Sequence, residues 1–209
     1  MALAHRLELP ALPEILQEFI HDQLHAGNPD PPEFNPATAL PPLQEVSIFN
    51  SAAASFYAPS DFSGIGGMRR EHIRSVQSWQ GGGARRDCVF VNMGADHNEM
   101  DGLAIARVLC FFSFKHRTSY FPCAAVHWYN HVLDGRHPDN GMYVVSPSTN
   151  GGTADISIIH VDCILRTAHL IPVYGPHFVP RAIGPNDSYN VFRSYYVNKY
   201  ADHHAFEIA

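Results

Sequence analysis

The stretch Asp202-His203-His204 with Glu207 places four metal-ligating side chains within six positions. On a helix His203 and Glu207 would share a face, because side chains four residues apart are neighbours. A site needs at least one more ligand from elsewhere, and the HEXXH pattern is absent. With that ligand, Asp202, His203, His204 and Glu207 could serve a metal-dependent nuclease or hydrolase. The plainer alternative is hydrogen-bonded packing of a C-terminal arm. A carboxylate triad of Asp87, Asp162 and Glu207 is a second way to hold metal, although each acid is equally at home before a strand, in a turn or in a cap. Cys163 and His160 are close in sequence, but adjoining strand segments need not bring a nucleophile and its base together. No serine sits in a GxSxG elbow.

Arg69, Arg70, Arg74, Arg85 and Arg86 supply five of the 14 basic residues within 18 positions. Asp61, Glu71 and Asp87 offset them in part, and Trp79 lies between the two groups. Basic and aromatic side chains together are what a contact with a nucleic-acid backbone uses. The alternative is a solvated face with ordinary ion pairs. The glycines of Gly64-Ile65-Gly66-Gly67 could cradle phosphate before a helix. The lysine and hydroxyl of a P-loop are missing, so a tight turn is the simpler reading. In the run 123–129 strand alternation puts Ala124, Val126 and Trp128 on one face and Cys123, Ala125, His127 and Tyr129 on the other. Trp128 reads as a core anchor. Phe112, Trp128, Tyr129 and Tyr143 are candidates to rim an aromatic pocket, of the kind that holds methylated lysine, or else ordinary core residues.

These residues need elements to position them. Leu12, Ile15, Leu16, Phe19, Ile20 and Leu24 form one helical stripe over 12–26, with Pro13 suited to the first turn and Gly27 to the end. Six prolines in 28–43 make a linker. Residues 46–58 read as extended, and 68–75 as a short helix. Strands are expected near 88–93, 103–115, 121–131, 141–146, 156–160 and 163–174, separated by breaks rich in Gly, Asn, Asp and Pro. Residues 187–209 read as helical, capped by Asp187 or Ser188. No βαβ alternation is present, which disfavours a parallel sheet. The expectation is a mostly β (α+β) chain: a small SH3-like or BAH-like antiparallel barrel over 46–209 with a C-terminal helical arm, preceded by an N-terminal amphipathic helix (1–27) and a proline-rich linker (28–45).

Composition narrows the function classes. The chain has 209 residues, 45% hydrophobic and 16% charged, so pervasive disorder is excluded. The most apolar stretch, 103–114, is too short for a membrane helix and carries Arg107. The first residues lack the apolar core of a secretory signal, and a nuclear or cytoplasmic location is expected. The net charge of −6 lies entirely in residues 1–45, which hold seven acids and one base. The remainder is neutral, so any nucleic-acid contact must be local rather than driven by an overall field. Four cysteines, 88, 110, 123 and 163, form no CxxC pair and read as buried reduced thiols. No cofactor is expected.

Several stretches, in order, resemble the C-terminal region of fungal Plavaka-type transposases, encoded by CACTA-like DNA transposons. They are FYAPSDFSGIGGMRREHIRS (56–75), DCVFVN, ARVLCFFSFKHR, CAAVHWYNHV, SIIHVDCILRTAHLIPVYG and YYVNKYADHHAFEIA (195–209). The resemblance covers roughly residues 46–209, and the stretches from Phe49 to Asp61 and from Tyr196 onward are its most specific parts. It implies a non-catalytic domain or remnant, because the acidic catalytic core of such transposases lies upstream of this region. The expected partners are transposon DNA, chromatin or the rest of a transposase. A weaker likeness is to bromo-adjacent homology domains, carried by the order of the ARVL strand, the Trp128-Tyr129 pair and the IIHVDCIL strand. Asn130 and His131 stand where those domains commonly have arginine and proline, so the likeness implies a barrel rather than histone binding. A purely structural interaction domain is the remaining alternative.

Overall fold

A computed structural model describes residues 4–5, 9–37, 43–60, 64–94, 99–176, 178–184 and 187–209. Helix α1 (Leu12–Leu24) carries proline in its first turn and buries Leu12, Leu16, Phe19 and Ile20. The linker that follows has no regular element among its described residues before Gln44, where the first strand begins inside the expected 28–45 span. The strands are β1 (Gln44–Phe49), β2 (Ser51–Tyr57), β3 (Met68–Val76), β4 (Arg85–Arg86), β5 (Cys88–Asn92), β6 (Leu103–His116), β7 (Ser119–His131), β8 (Val144–Pro147), β9 (Thr149–Asn150), β10 (Thr153–Ala154), β11 (Ile156–His160), β12 (Ile164–Ala168), β13 (Leu170–Pro172) and β14 (Tyr195–Val197). Short helices α2 (Ser188–Val191) and α3 (His203–Ile208) flank β14. The chain is thus mostly β, an antiparallel and nearly closed barrel-like sheet with helices packed on it. Among the described residues no helix is long and apolar enough to cross a membrane.

The long β6–β7 hairpin is the spine. The main sheet runs β12-β5-β6-β7-β8-β14-β13, with β1 on the far half of β6 and β11 on β7. β6 is buried on both faces, which explains why its sequence is almost continuously apolar. Its register shifts between Val108 and Cys110. Such a bulge inverts the alternation, so Ile105 before it and Phe112 and Phe114 after it serve the same side of the sheet. On that side α1 packs against Phe112, Phe114, Cys123, Ala125 and Ile158, and a second cluster forms around Phe90, Ile105, Tyr129, Tyr195 and Val197. On the other side Val89, Val91, Ala106, Val108, Ala124 and Val126 meet Ala54 of β2 and Ile73 of β3. The split of Ala124 and Val126 from Cys123 and Ala125 follows the alternation read from the sequence.

The small β2-β3-β4 sheet folds over this second side. The Ser75 hydroxyl donates to the Leu109 carbonyl at 2.7 Å, and the Asp87 N–H donates to the Arg74 carbonyl at 2.9 Å.

Two expectations are corrected. Residues 68–75 form strand β3, not a helix: Ile73 and Ser75 turn into the core while His72 stays outside. Helix-forming side chains are overridden here by pairing with β2 and by the inward anchors. The C-terminal 187–209 is not one helix. Its helical parts are α2 and α3, separated by β14, where Tyr195 and Val197 are fully buried. Asp187 occupies the cap position of α2 but spends its carboxylate on the Gly184 N–H at 2.9 Å.

Candidate nucleic-acid interface

Strand alternation sorts the arginine cluster. β2 and β3 pair from Ser51↔Arg74 to Tyr57↔Met68. Met68, Arg70, His72 and Arg74 share the outer face of β3. Opposite them on β2 stand Ser51, Ala53, Ser55 and Tyr57, all exposed. Arg69, Glu71, Ile73 and Ser75 face the other way. Glu71, the single acid of the hairpin strands, is therefore removed from the basic face. It accepts a short hydrogen bond from the Thr167 N–H and lies 3.6 Å from Arg166.

The basic face continues onto Trp79. The Arg74 and Arg85 guanidinium carbons lie 4.6 and 5.0 Å from its ring centre. Asp87 holds the assembly, accepting from Arg85 Nε at 2.8 Å and from the Arg74 N–H at 2.8 Å. Arg70, Arg74 and Arg85 thus lie together, while Arg69 and Arg86 do not share that face and have contacts of their own. Gly64 to Gly67 form the hairpin turn, with Gly66 and Gly67 at positive φ. They precede a strand, so no helix N-terminus meets them.

The C-terminal cluster is organised around a guanidinium. Arg166, 5% exposed, donates to Asp202 Oδ1 at 2.8 Å and Oδ2 at 2.5 Å, and to His204 Nδ1 at 3.1 Å. Because Arg only donates, Nδ1 must accept, and the neutral imidazole carries its proton on Nε2. Asp202 also caps α3, accepting from the Ala205 N–H at 2.8 Å. The Phe56 ring stacks on His204 at 4.9 Å and underlies Arg166 at 4.6 Å. Hydrogen bonding to Arg166 holds the Asp202 carboxyl down at about 2, and burial, then Arg166, depresses the His204 pKa. His203 and Glu207 are exposed. Asp202 and His204 are committed to Arg166, and no group of three potential metal ligands converges among the described residues. Asp87, Asp162 and Glu207 are likewise dispersed: Asp162 pairs with His160 at 3.2 Å, and Asp87 with Arg85.

The aromatic candidates do not converge. Phe112 is buried beneath α1. Tyr129 lies edge-on to Tyr195 in the other cluster of the same side. Tyr143 packs beside it, edge-on to His131 and beneath Arg136. Trp128 is on the opposite side, half-buried rather than a fully buried anchor, with its Nε1–H donating to the Ser157 hydroxyl at 3.0 Å. The four cysteines form no disulfide, with Cys88, Cys110 and Cys123 buried and Cys163 half-buried. Burial pushes Cys88 and Cys123 up to about 12, and burial, then Asp162, raises Cys163. None of these three is poised as a thiolate.

Sequence reasoning missed Arg166, Arg107 and Tyr57. Arg166 and Arg107 are cations inside apolar strands, a signal that was present. Arg107 is 8% exposed and donates to Asn190 Oδ1 at 2.8 Å over the Tyr189 ring. Tyr57 had no sequence signal beyond its type. No protein-family model, curated protein or solved structure matches the chain.

Proposed function

We propose that the chain is a non-catalytic domain of a Plavaka-type DNA transposase, and that it contacts nucleic acid through the outer face of the β2–β3 hairpin. The observation that carries this reading is the alternation of β3. Arg70, His72 and Arg74 stand on one solvent-facing surface beside short side chains, and Glu71 is turned inward to Arg166. The neutral body makes such a local cation row the natural source of phosphate affinity. The transposase part rests on the motif resemblance. One structural relation is consistent with it: the two most specific stretches touch, through Phe56 stacked on His204.

Fluorescence anisotropy of labelled DNA across a salt series tests the proposal. The expected slope of log K against log salt is about −2, as for two or three phosphate contacts. Charge reversal of Arg70 and Arg74 to Glu should abolish binding at low salt. Affinity unaffected by that double change would refute the interface.

A further inference from the structure

We infer that the ligand of this face is single-stranded nucleic acid, with Tyr57 as the platform on which a base stacks. The inference rests on the nucleic-acid reading above and narrows it. Tyr57 ends the row of exposed β2 side chains and is 62% exposed, opposite Met68 at 49%. Its ring lies across the main chain of Gly67. A Cβ at that position would sit 2.8 Å from Tyr57 Cε2 and 3.3 Å from the Pro59 Cα, and the backbone there has φ +78°. Glycine thus does two things at once: it adopts the left-handed turn and lets the ring lie down on it. A ring seated in this way is pre-ordered, with little side-chain entropy left to lose on stacking.

The rest of the face accommodates one strand. Arg70, His72 and Arg74 recur at every second residue, about 7 Å apart, as a row that can track a backbone. Ser51, Ala53 and Ser55 keep the surface beside them low, so a chain can lie along it. A two-stranded ribbon can itself enter a major groove, so the preference for a single strand rests on the exposed ring. In a duplex the base faces are stacked on one another, whereas an unpaired base offers its π-face to an aromatic ring. Trp79 is already covered by Arg74 and Arg85, so it orders those cations and leaves the stacking to Tyr57. Among the described hairpin residues no carboxylate shares the face.

The test uses the full chain, a short labelled oligothymidine, a duplex of equal length and a polyglutamate peptide as competitor. Oligothymidine should bind at least about tenfold more tightly than the duplex at equal salt. Tyr57→Ala should weaken oligothymidine binding about tenfold and leave duplex binding unchanged, while Tyr57→Phe keeps the wild-type affinity. Tyr57 is largely solvent-exposed, and an unchanged melting temperature checks that its variants fold. A duplex preference, or a neutral Tyr57→Ala, would overturn the single-strand platform while leaving the basic interface in place. If neither nucleic acid binds, the interface itself falls. Competition by polyglutamate as strong as by oligothymidine would reassign the face to acidic peptides and overturn both.

Discussion

Arg166 shows how a single buried cation can decide what its neighbours are able to do. Its guanidinium takes both oxygens of Asp202 and Nδ1 of His204, so two of the four residues that resembled metal ligands are ligands of an arginine. Replacing Arg166 with Met would leave Asp202 without its counter-charge. The expected cost is about 3 kcal/mol, read by urea denaturation, with partial recovery in Arg166→Met/Asp202→Asn. The same cluster predicts acid sensitivity. His204 is a base whose folded pKa lies below its unfolded value, so the unfolded chain binds the proton more readily. Its contribution is complete above pH ~6.5 and falls away as pH drops below that. The groups facing it are Arg166 and Phe56 with Asp202, Glu207 and Glu71. Asp202 follows, its contribution complete above the unfolded pKa near 3.8 and lost towards about 2. With its partial exposure that loss is on the order of 1 kcal/mol. A melting-temperature series from pH 8 to pH 2 should fall in two stages, and His204→Phe should remove the upper one. This cluster was half legible in the sequence. Asp202, His203, His204 and Glu207 announced polar chemistry at that position, but the partner of Asp202 and His204 lies 36 and 38 residues earlier in β12, and only tertiary pairing reveals it.

Among the elements, α1 and β3 make opposite lessons. Helical period alone drew the stripe of α1 as Leu12, Ile15, Leu16, Phe19, Ile20 and Leu24; Leu12, Leu16, Phe19 and Ile20 are buried, Ile15 is half-buried, and Leu24, in the last turn, is exposed. Phe19 is 7% exposed and meets Phe114 and Phe121 edge-on at 6.4 and 6.3 Å. Phe19→Ala should therefore cost about 3 kcal/mol of global stability in urea unfolding. An unchanged midpoint would mean that α1 is not part of the cooperative unit. The residues of β3 carry no such stripe. Met68, Arg69, Arg70 and Glu71 favour helix locally, and the strand exists because Glu71 reaches Thr167 and Ile73 reaches the core. Tyr195-Tyr196-Val197 is the comparable case at the other end: an aromatic and β-branched triplet was a strand signal, masked by the helical residues around it. The long β6–β7 hairpin was read correctly because apolar runs of that length leave few alternatives.

In the whole molecule the acidic helix and the basic hairpin lie on opposite sides of the β6–β7 spine. The acids Glu14, Glu18, Asp22, Asp30 and Glu33 are exposed on α1 and its linker. Such a separation orients an approaching polyanion and repels it from the wrong side. Changing those five acids to their amides should raise oligonucleotide affinity several-fold at low salt. The gain should vanish near physiological ionic strength, where the Debye length is about 8 Å. The charge asymmetry was visible in the sequence, but its opposition to the arginines was not, since it depends on which sheet face each element covers. The central claim is that nucleic acid lies on the outer face of β2–β3, and amide chemical-shift mapping of the full chain with oligothymidine tests it most directly. The account predicts shifts concentrated at Tyr57, Met68, Arg70, His72 and Arg74, with β8, β13 and α1 unmoved. Shifts confined to those other elements, or none at saturating ligand, would contradict it.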